Sequence, residues 1–471
     1  MYNNEGVIMK NRIEKDELGE REIPYEAYYG IQTLRSKENF DIAKRPISRQ
    51  MIKGIAVVKK AAAYANHDAG YLDKKLRDAI SLTCDEIFNG RLHGQFITDL
   101  VQGGAGTSMN MNANEVIANR ANEMLGFEKG TYKPIHPIDQ VNFCQSTNDV
   151  IPTAGKIASI FLTKRLITEM KKLASCYEDL AIKYKDVITI SKTHLQDCVP
   201  VTYGEIFNAI AHGIERDIKR ITNAMQGLLE VNLGGTVIGT GINADPKYQK
   251  KVVKYLVEFS GEEFYQSKNM VDCTRSLDAF AYLSSSIKAF SLNLLKNVHD
   301  LKLLSCCYKS AKLPEVQPGS PVNPGKINPV VIEMVEQVVY YMEGNDLTIA
   351  RATEAGEMEF NVNIPIVLAC LFENLNFIRR AVRTLREKCL EGLEVYGIKD
   401  ISEFDDYLLT ILEPKLGSNL CQEINHIAAT ENRKVVDVLL EKNLVTQDEL
   451  NYFKNNNVIT KTGIISLGKQ E

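Results

Sequence analysis

The sequence predicts a mainly α protein organised around a bundle of long helices, and three observations carry that expectation. Between 275 and 304, Phe280, Leu283, Ile287, Phe290, Leu294, Val298 and Leu301 recur at steps of three or four, the period that lines side chains along one helix face. The stretches 247 to 313 and 330 to 364 contain no proline, whereas five of the fourteen prolines crowd between 314 and 329. Proline removes a backbone donor and fixes φ, so two helix-compatible segments are parted by one abrupt loop. Strand signals are few, the clearest being Val187-Ile188-Thr189-Ile190, read as a short edge piece.

Taken in order, the chain before 145 mixes Gly- and Asn-rich loops with shorter helices. Helical stretches are expected at 153 to 184, 203 to 230, 275 to 304, 327 to 342 and 366 to 395. At about 1.5 Å per residue the third would reach roughly 45 Å. Stripes of that length bury against one another and leave seams for a further subunit, so a homo-oligomer is expected. After about 400, short helical pieces are separated by Gly417, Asn443 and Asn455 to Asn457. The working division is three domains, 1–145, 146–398 and 399–471.

Composition narrows the function classes. The 471 residues are 44% hydrophobic and 25% charged, as in an ordinary soluble globular protein. A net charge of −4 comes from 56 basic and 60 acidic residues mixed along the chain, with no polybasic arm to suggest nucleic acid or an anionic membrane. The longest apolar run, 366 to 372, is too short to span a bilayer, and the start has no basic-then-apolar layout, so the cytoplasm is the expected address. Ten scattered cysteines form no C-x-x-C pair, and seven histidines form no H-x-x-x-H set. Neither a disulfide framework nor a structural zinc is expected.

The chemistry is carried by loops rich in hydroxyls and amides. The proline-dense loop brings Ser320, Asn323, Lys326 and Asn328, groups suited to holding a small carboxylate beside a proton transfer. Gly103-Gly104-Ala105-Gly106-Thr107-Ser108 precedes a helix-like stretch; it reads as an anion-binding backbone turn or as an ordinary N-cap. Gln145-Ser146-Thr147-Asn148-Asp149 leads through Pro152 into a helix, and capping explains only one of its polar groups. Ser191-Lys192-Thr193-His194-Leu195-Gln196-Asp197 places His194 on a loop before Pro200. Gly234-Gly235 and Ile238-Gly239-Thr240-Gly241-Ile242-Asn243 make another hydroxyl-bearing loop. Gly325-Lys326 is followed by Ile327, which rules out a P-loop, and neither G-x-S-x-G nor a strand-borne G-x-G-x-x-G occurs. Anion-binding loops with a single nearby cation suit a small dicarboxylic acid better than a nucleotide.

These segments together resemble the aspartase/fumarase superfamily, from Arg12 to roughly 460. The motifs are RIEKDELGEREIPYEAYYGIQTLRSKENF at 12 to 40, GGAGTS with MNMNANEVIANRA, QSTND, KTHLQD, IGTGIN, GNDLTIARATEAGE at 344 to 357, and G-S-x-x-x-P-G-K-x-N-P at 319 to 329. Ala105, Thr147 and AYYGIQT are closer to the ammonia-lyase branch than to the fumarases. The resemblance implies a three-domain subunit around a long central helical bundle. It further implies a homotetramer with active sites shared between subunits, and no cofactor or metal in the chemistry.

The implied reaction is reversible anti-elimination of ammonia from L-aspartate to fumarate through an aci-carboxylate. Thr107, Ser146 and Thr147, with Ser108 beside them, would hold one carboxylate, and Thr193, Lys326 and Asn328 the other. Asn148 and His194 would contact the amine, and Ser320 would be the general base. A fumarate hydratase, a lyase releasing another amine, or an impaired paralogue is the alternative. Pro321 stands where the family usually has a second serine, and it lacks that residue's hydroxyl and N–H. Asn323 and Asn363 stand where methionines are usual, Cys307-Tyr308-Lys309 replaces a Gly-Pro-Arg turn, and the segment before Leu313 is shortened.

Overall fold

The long apolar stripes become long helices. The computed structural model describes residues 10–319, 322, 325–398, 406–453, 460, 463 and 464. The chain divides into two units, Met1–Glu169 with Asp217–Asn293 and Glu336–Ala381, and Met170–Arg216 with Leu294–Val335 and Val382–Glu471. Elements in order are β1 (Asn11–Asp16), β2 (Gly19–Pro24), α1 (Ile31–Asn39), α2 (Arg49–Ala69), α3 (Lys74–Phe88), α4 (Thr107–Met124), α5 (Thr147–Lys183), β3 (Ile188–Thr193), β4 (Gln196–Thr202) and α6 (Tyr203–Gln226). There follow β5 (Glu230–Val231), α7 (Pro246–Ser260), β6 (Tyr265–Gln266), α8 (Met270–Arg275), α9 (Asp278–Lys302), β7 (Ala311–Lys312), α10 (Val330–Glu354), α11 (Ile364–Leu385), β8 (Glu394–Val395), α12 (Asp406–Leu416), α13 (Ser418–Glu431), α14 (Val435–Glu441) and α15 (Gln447–Phe453). Each expected helical stretch has its helix, and all seven stripe residues of α9 are buried. No helix among the described residues is long and apolar enough to cross a membrane.

In the first unit, α2 packs between α3 and α7, and each begins on a side-chain cap: Ser48 accepts from Gln50 N–H, Asp73 from Leu76 N–H and Asp245 from Lys247 N–H. Helix α5 approaches α2 so closely that a Cβ on Gly54 would lie 2.4 Å from the Ala154 carbonyl oxygen, and one on Gly155 would lie 2.7 Å from Leu368 of α11. These contacts fix the start of α5. Helix α4 is buried yet polar: Asn112 exchanges bonds with Ile97 N–H and the Gln95 carbonyl, Asn119 with Gly130 N–H and the Tyr28 carbonyl, and Asn122 with Ile135. Each asparagine clamps a loop backbone that would otherwise be unpaired.

The β1–β2 hairpin has no counterpart in the sequence reading. In β1 the inward positions are Arg12 and Glu14, paired at 2.8 Å, while Ile13 faces out and Ile23 of β2 is the one buried apolar side chain, so the period-two hydrophobic signal is absent. The Arg12 guanidinium donates to the carbonyls of Pro24, Ala27 and Tyr29.

In the second unit, β3 and β4 form an antiparallel ribbon, and α12 to α15 close over a core that includes Leu408, Leu412, Ile424, Val438, Leu439, Leu450 and Phe453. The expected short strand extends to Thr193, and its partner β4 runs through Pro200. A two-stranded ribbon tolerates a residue without N–H, and a register irregularity at Ser191 supplies side-chain bonds instead. The Ser191 hydroxyl donates to the Val199 carbonyl at 2.6 Å and accepts from Val199 N–H at 3.1 Å.

Candidate functional site

Two helix starts in the first unit present the expected hydroxyls. Gly104, Ala105 and Gly106 have φ of 79°, 57° and 88°, so the backbone coils left-handed just before α4. Glycine relieves that conformation at two of the three positions, while Ala105 bears it and is buried. A Cβ on Gly106 would sit 3.0 Å from Ile151 of α5, which brings Thr107 and Ser108 beside the first turns of that helix. Thr107 is exposed, and its hydroxyl donates to the Gly104 carbonyl at 2.7 Å.

At the start of α5 the Ser146 hydroxyl accepts from Asn148 N–H at 3.3 Å, a role that leaves its own proton able to donate. Asn148 Nδ2 donates to the Val237 carbonyl at 2.7 Å, which ties this helix start to the loop carrying IGTGIN. Pro152 lies inside α5 and cannot donate to the Asn148 carbonyl four residues back; Asn232 Nδ2 does so instead, at 3.0 Å.

Asp149 organises both loops. Its carboxylate accepts from the N–H groups of Ser146, Gly234 and Thr236 at 2.9, 3.0 and 3.1 Å and is fully buried. Burial pushes its pKa up to about 6, against the pull of those three donors and of Lys59. The signal for this clamp was a hydroxyl at 146 followed three residues later by an acid, the pattern of a capping box. Behind it lies Lys59 of α2, wholly buried, with its ammonium on Asn142 Oδ1 and Gln145 Oε1.

The AYYGIQT segment also starts a helix, but its acceptor comes from the protein itself. Glu115 of α4 accepts from Gly30, Gln32 and Thr33 N–H and from the Thr33 hydroxyl. A Cβ on Gly30 would lie 2.1 Å from the Tyr132 hydroxyl, so the chain turns there only as glycine. Burial pushes the Glu115 carboxyl up to about 7. This motif is structural, and nothing about its charge spacing announced the distant partner.

The second unit holds the remaining described groups. His194 and Leu195 form the two-residue turn between β3 and β4 with φ of 54° and 62°, the mirror-image turn that favours Asn and Gly. Two bulky side chains hold a conformation that costs about 1 kcal/mol or more each. The Tyr308 hydroxyl donates to the Leu195 carbonyl at 2.9 Å, and Lys192, paired with Asp197, lies over the Tyr308 ring. Thr193 ends β3, exposed beside the turn.

At the proline-dense loop, a Cβ on Gly319 would lie 1.6 Å from the Lys326 carbonyl oxygen, and Asn328 Nδ2 donates to the Gly319 carbonyl at 3.2 Å. Glycine thus permits a pinched neck that exposes Lys326. Ser320, Pro321 and Asn323 lie outside the described residues. Asn363 N–H donates to Asn361 Oδ1, and Asn361 caps the carbonyls of Ala352 and Thr353 at the end of α10.

The structure therefore brings together Thr107, Ser108, Ser146, Thr147 and Asn148 in one unit, and sets His194 and Thr193 on a hairpin and Lys326 and Asn328 at a loop neck in the other. A left-handed glycine turn feeding one helix start, packed against a second, makes a charge-poor cradle of hydroxyl and amide donors. Fixed neutral donors of this kind are able to stabilise an anion.

Comparison with known proteins gives this architecture a family. The profile of a family described as a lyase matches residues 19–344. The chain belongs to that family, the aspartase/fumarase superfamily, and is an enzyme. Within it the similarity is to carbon–nitrogen lyases. An aspartate ammonia-lyase from Bacillus subtilis is 42% identical over 96% of this chain and 97% of its own, and one from Escherichia coli is 38% identical over 93% and 94%. Among solved structures, a fumarate lyase:delta crystallin from Brucella melitensis, bound to cobalt, has a TM-score of 0.90 at 39% identity, covering 95% of this chain and 99% of that one. A class II fumarase from Schistosoma mansoni has a TM-score of 0.91 at 28% identity, covering 95% and 98%.

Proposed function

We propose that this lyase catalyses the reversible anti-elimination of ammonia from L-aspartate to fumarate. The observation that carries the reading is the pair of helix starts at Thr107 and Thr147, locked side by side through Gly106 and Ile151, in a chain 42% identical to an aspartate ammonia-lyase. Abstracting a proton beside a carboxylate spreads charge into an aci-carboxylate dianion, and fixed neutral donors stabilise that charge as it develops. Ser146, Thr147 and Thr107 hold this carboxylate, Thr107 after its hydroxyl leaves Gly104. Because the Val237 carbonyl takes the Asn148 amide N–H, Asn148 Oδ1 is left as an acceptor, the polarity an amine requires.

Thr193, Lys326 and Asn328 hold the second carboxylate, His194 meets the amine, and Ser320 takes the proton with no cofactor involved. The exposed Tyr282, Tyr340, Tyr341 and Leu347 on α9 and α10 support a homotetramer assembled along the long helices. Purified protein offered L-aspartate should produce fumarate, read by its absorbance, and should do so far less with L-malate; activity on malate alone makes it a hydratase. Ser320→Ala should abolish turnover while succinate still binds, and normal turnover in that variant would reassign the base. Pro321→Ser should raise the rate by restoring a hydroxyl and an N–H.

A further inference from the structure

Lys59 is a charged group that the proposed reaction does not touch. It lies on α2 with no exposed surface, in a stretch, Gly54-Ile55-Ala56-Val57-Val58, that is otherwise apolar. Burying an ammonium costs several kcal/mol unless its protons are satisfied, and lysine is seldom fully buried. Burial pushes the Lys59 pKa down to about 7, opposed chiefly by Asp149. A methionine would fill the space at less cost, so packing alone does not account for the charge.

What the ammonium does is impose direction on a chain of amides. Its Nζ donates to Asn142 Oδ1 at 2.8 Å and to Gln145 Oε1 at 3.0 Å. Asn142 Oδ1 also receives Asn110 Nδ2 at 3.1 Å and Asn114 Nδ2 at 3.2 Å, so three donors converge on one oxygen. Asn110 Nδ2 then donates onward to Thr147 Oγ1 at 3.3 Å. An amide can be turned either way, but an ammonium has donors only. Facing Lys59, Asn142 must present its oxygen; facing that oxygen, Asn110 must present its NH2; and the Thr147 hydroxyl, accepting from Asn110, must point its proton elsewhere.

We infer that Lys59 is a positioning residue that acts through Asn142 and Asn110 to aim the Thr147 hydroxyl proton at the substrate carboxylate. The inference rests on the proposed function, in which Thr147 holds the carboxylate that becomes the dianion. A donor aimed in advance costs no reorganisation as charge develops, so its effect falls on kcat more than on KM.

The test is a double-mutant cycle on the full-length enzyme, with L-aspartate turnover and succinate binding as readouts. Thr147→Ala and Lys59→Met should each lower kcat about a hundredfold, and combining them should cost no more than either alone. Independent, multiplying effects would show that Lys59 does not act through Thr147 and would overturn the inference. An intact rate in Thr147→Ala alone would instead overturn the substrate reading on which it rests. Asn110→Ala, which cuts the chain without touching the buried charge, covers the case in which Lys59→Met does not fold. It should lower kcat without lowering the thermal midpoint in proportion, and a loss of folded protein with unchanged kcat per succinate site would reduce the chain to a structural one.

Discussion

The donors of the first unit and those of the second are built on opposite plans. Ser146, Thr147 and Asn148 stand on a largely buried scaffold, in which Asp149 gathers backbone N–H groups and Lys59, Asn142 and Asn110 are linked through their side chains. His194 and Lys326 are exposed, and what holds them is backbone: a left-handed two-residue turn and a glycine-pinched neck. A preformed anion cradle needs low dielectric and fixed dipoles, which burial supplies. The groups proposed to meet substrate from the second unit need access, which exposure supplies. Damage to the first plan should therefore cost stability together with activity, and damage to the second should cost activity alone.

The largest expected effect is Asp149→Ala. Removing a buried carboxylate strands three backbone N–H groups, at about 1–3 kcal/mol each, so urea denaturation should show a loss of about 4 kcal/mol and fumarate production should fall with it. A stable, active variant would show that the two loops hold their shape without the clamp. Next comes Glu115. Its carboxyl is raised to about 7, so the folded state favours the protonated form. Below the ordinary value near 4.5 both states are protonated and no penalty arises. As pH rises toward 7 the unfolded chain ionises first, and stability falls by roughly 3 kcal/mol. Glu115→Gln should flatten that slope in denaturation measured between the two pH values.

His194→Ala probes the second plan. It should cut kcat/KM for L-aspartate about thirtyfold, equivalent to roughly 2 kcal/mol, while the melting midpoint stays within the small range usual for surface changes. A matching loss of stability would erase the contrast between the two regions. The smallest effect is Leu195→Gly, which should stabilise by about 1 kcal/mol by removing a Cβ from a left-handed residue, with a modest loss of turnover as the His194 turn loosens.

Much of the frame was legible in sequence. The stripe of α9 repeats within a few residues, so its period needs no knowledge of what it packs against, and the same holds for α5, α6, α10 and α11. The hydroxyl-bearing helix starts at 107 and 146 were legible because glycine, proline and capping residues act on their immediate neighbours, whereas the segment 191–197, read as a loop, is strand except for the turn at His194 and Leu195. The β1–β2 hairpin was not legible, because in β1 the charged Arg12 and Glu14 face inward while Ile13 is exposed. The partners of the polar groups were not either. Glu115 serves Gly30 from 85 positions away, and Lys59 serves Asn142 from 83.

The chain by itself thus determined its helices, the positions of its loops and the residue types available for chemistry, since all of these follow from local periodicity and backbone restriction. Only tertiary structure decided which acids are clamps, which amides are turned which way, and that the ammonium of Lys59 lies behind the Thr147 loop. Those choices depend on which polar groups lose water together, and burial couples residues that no sequence spacing relates.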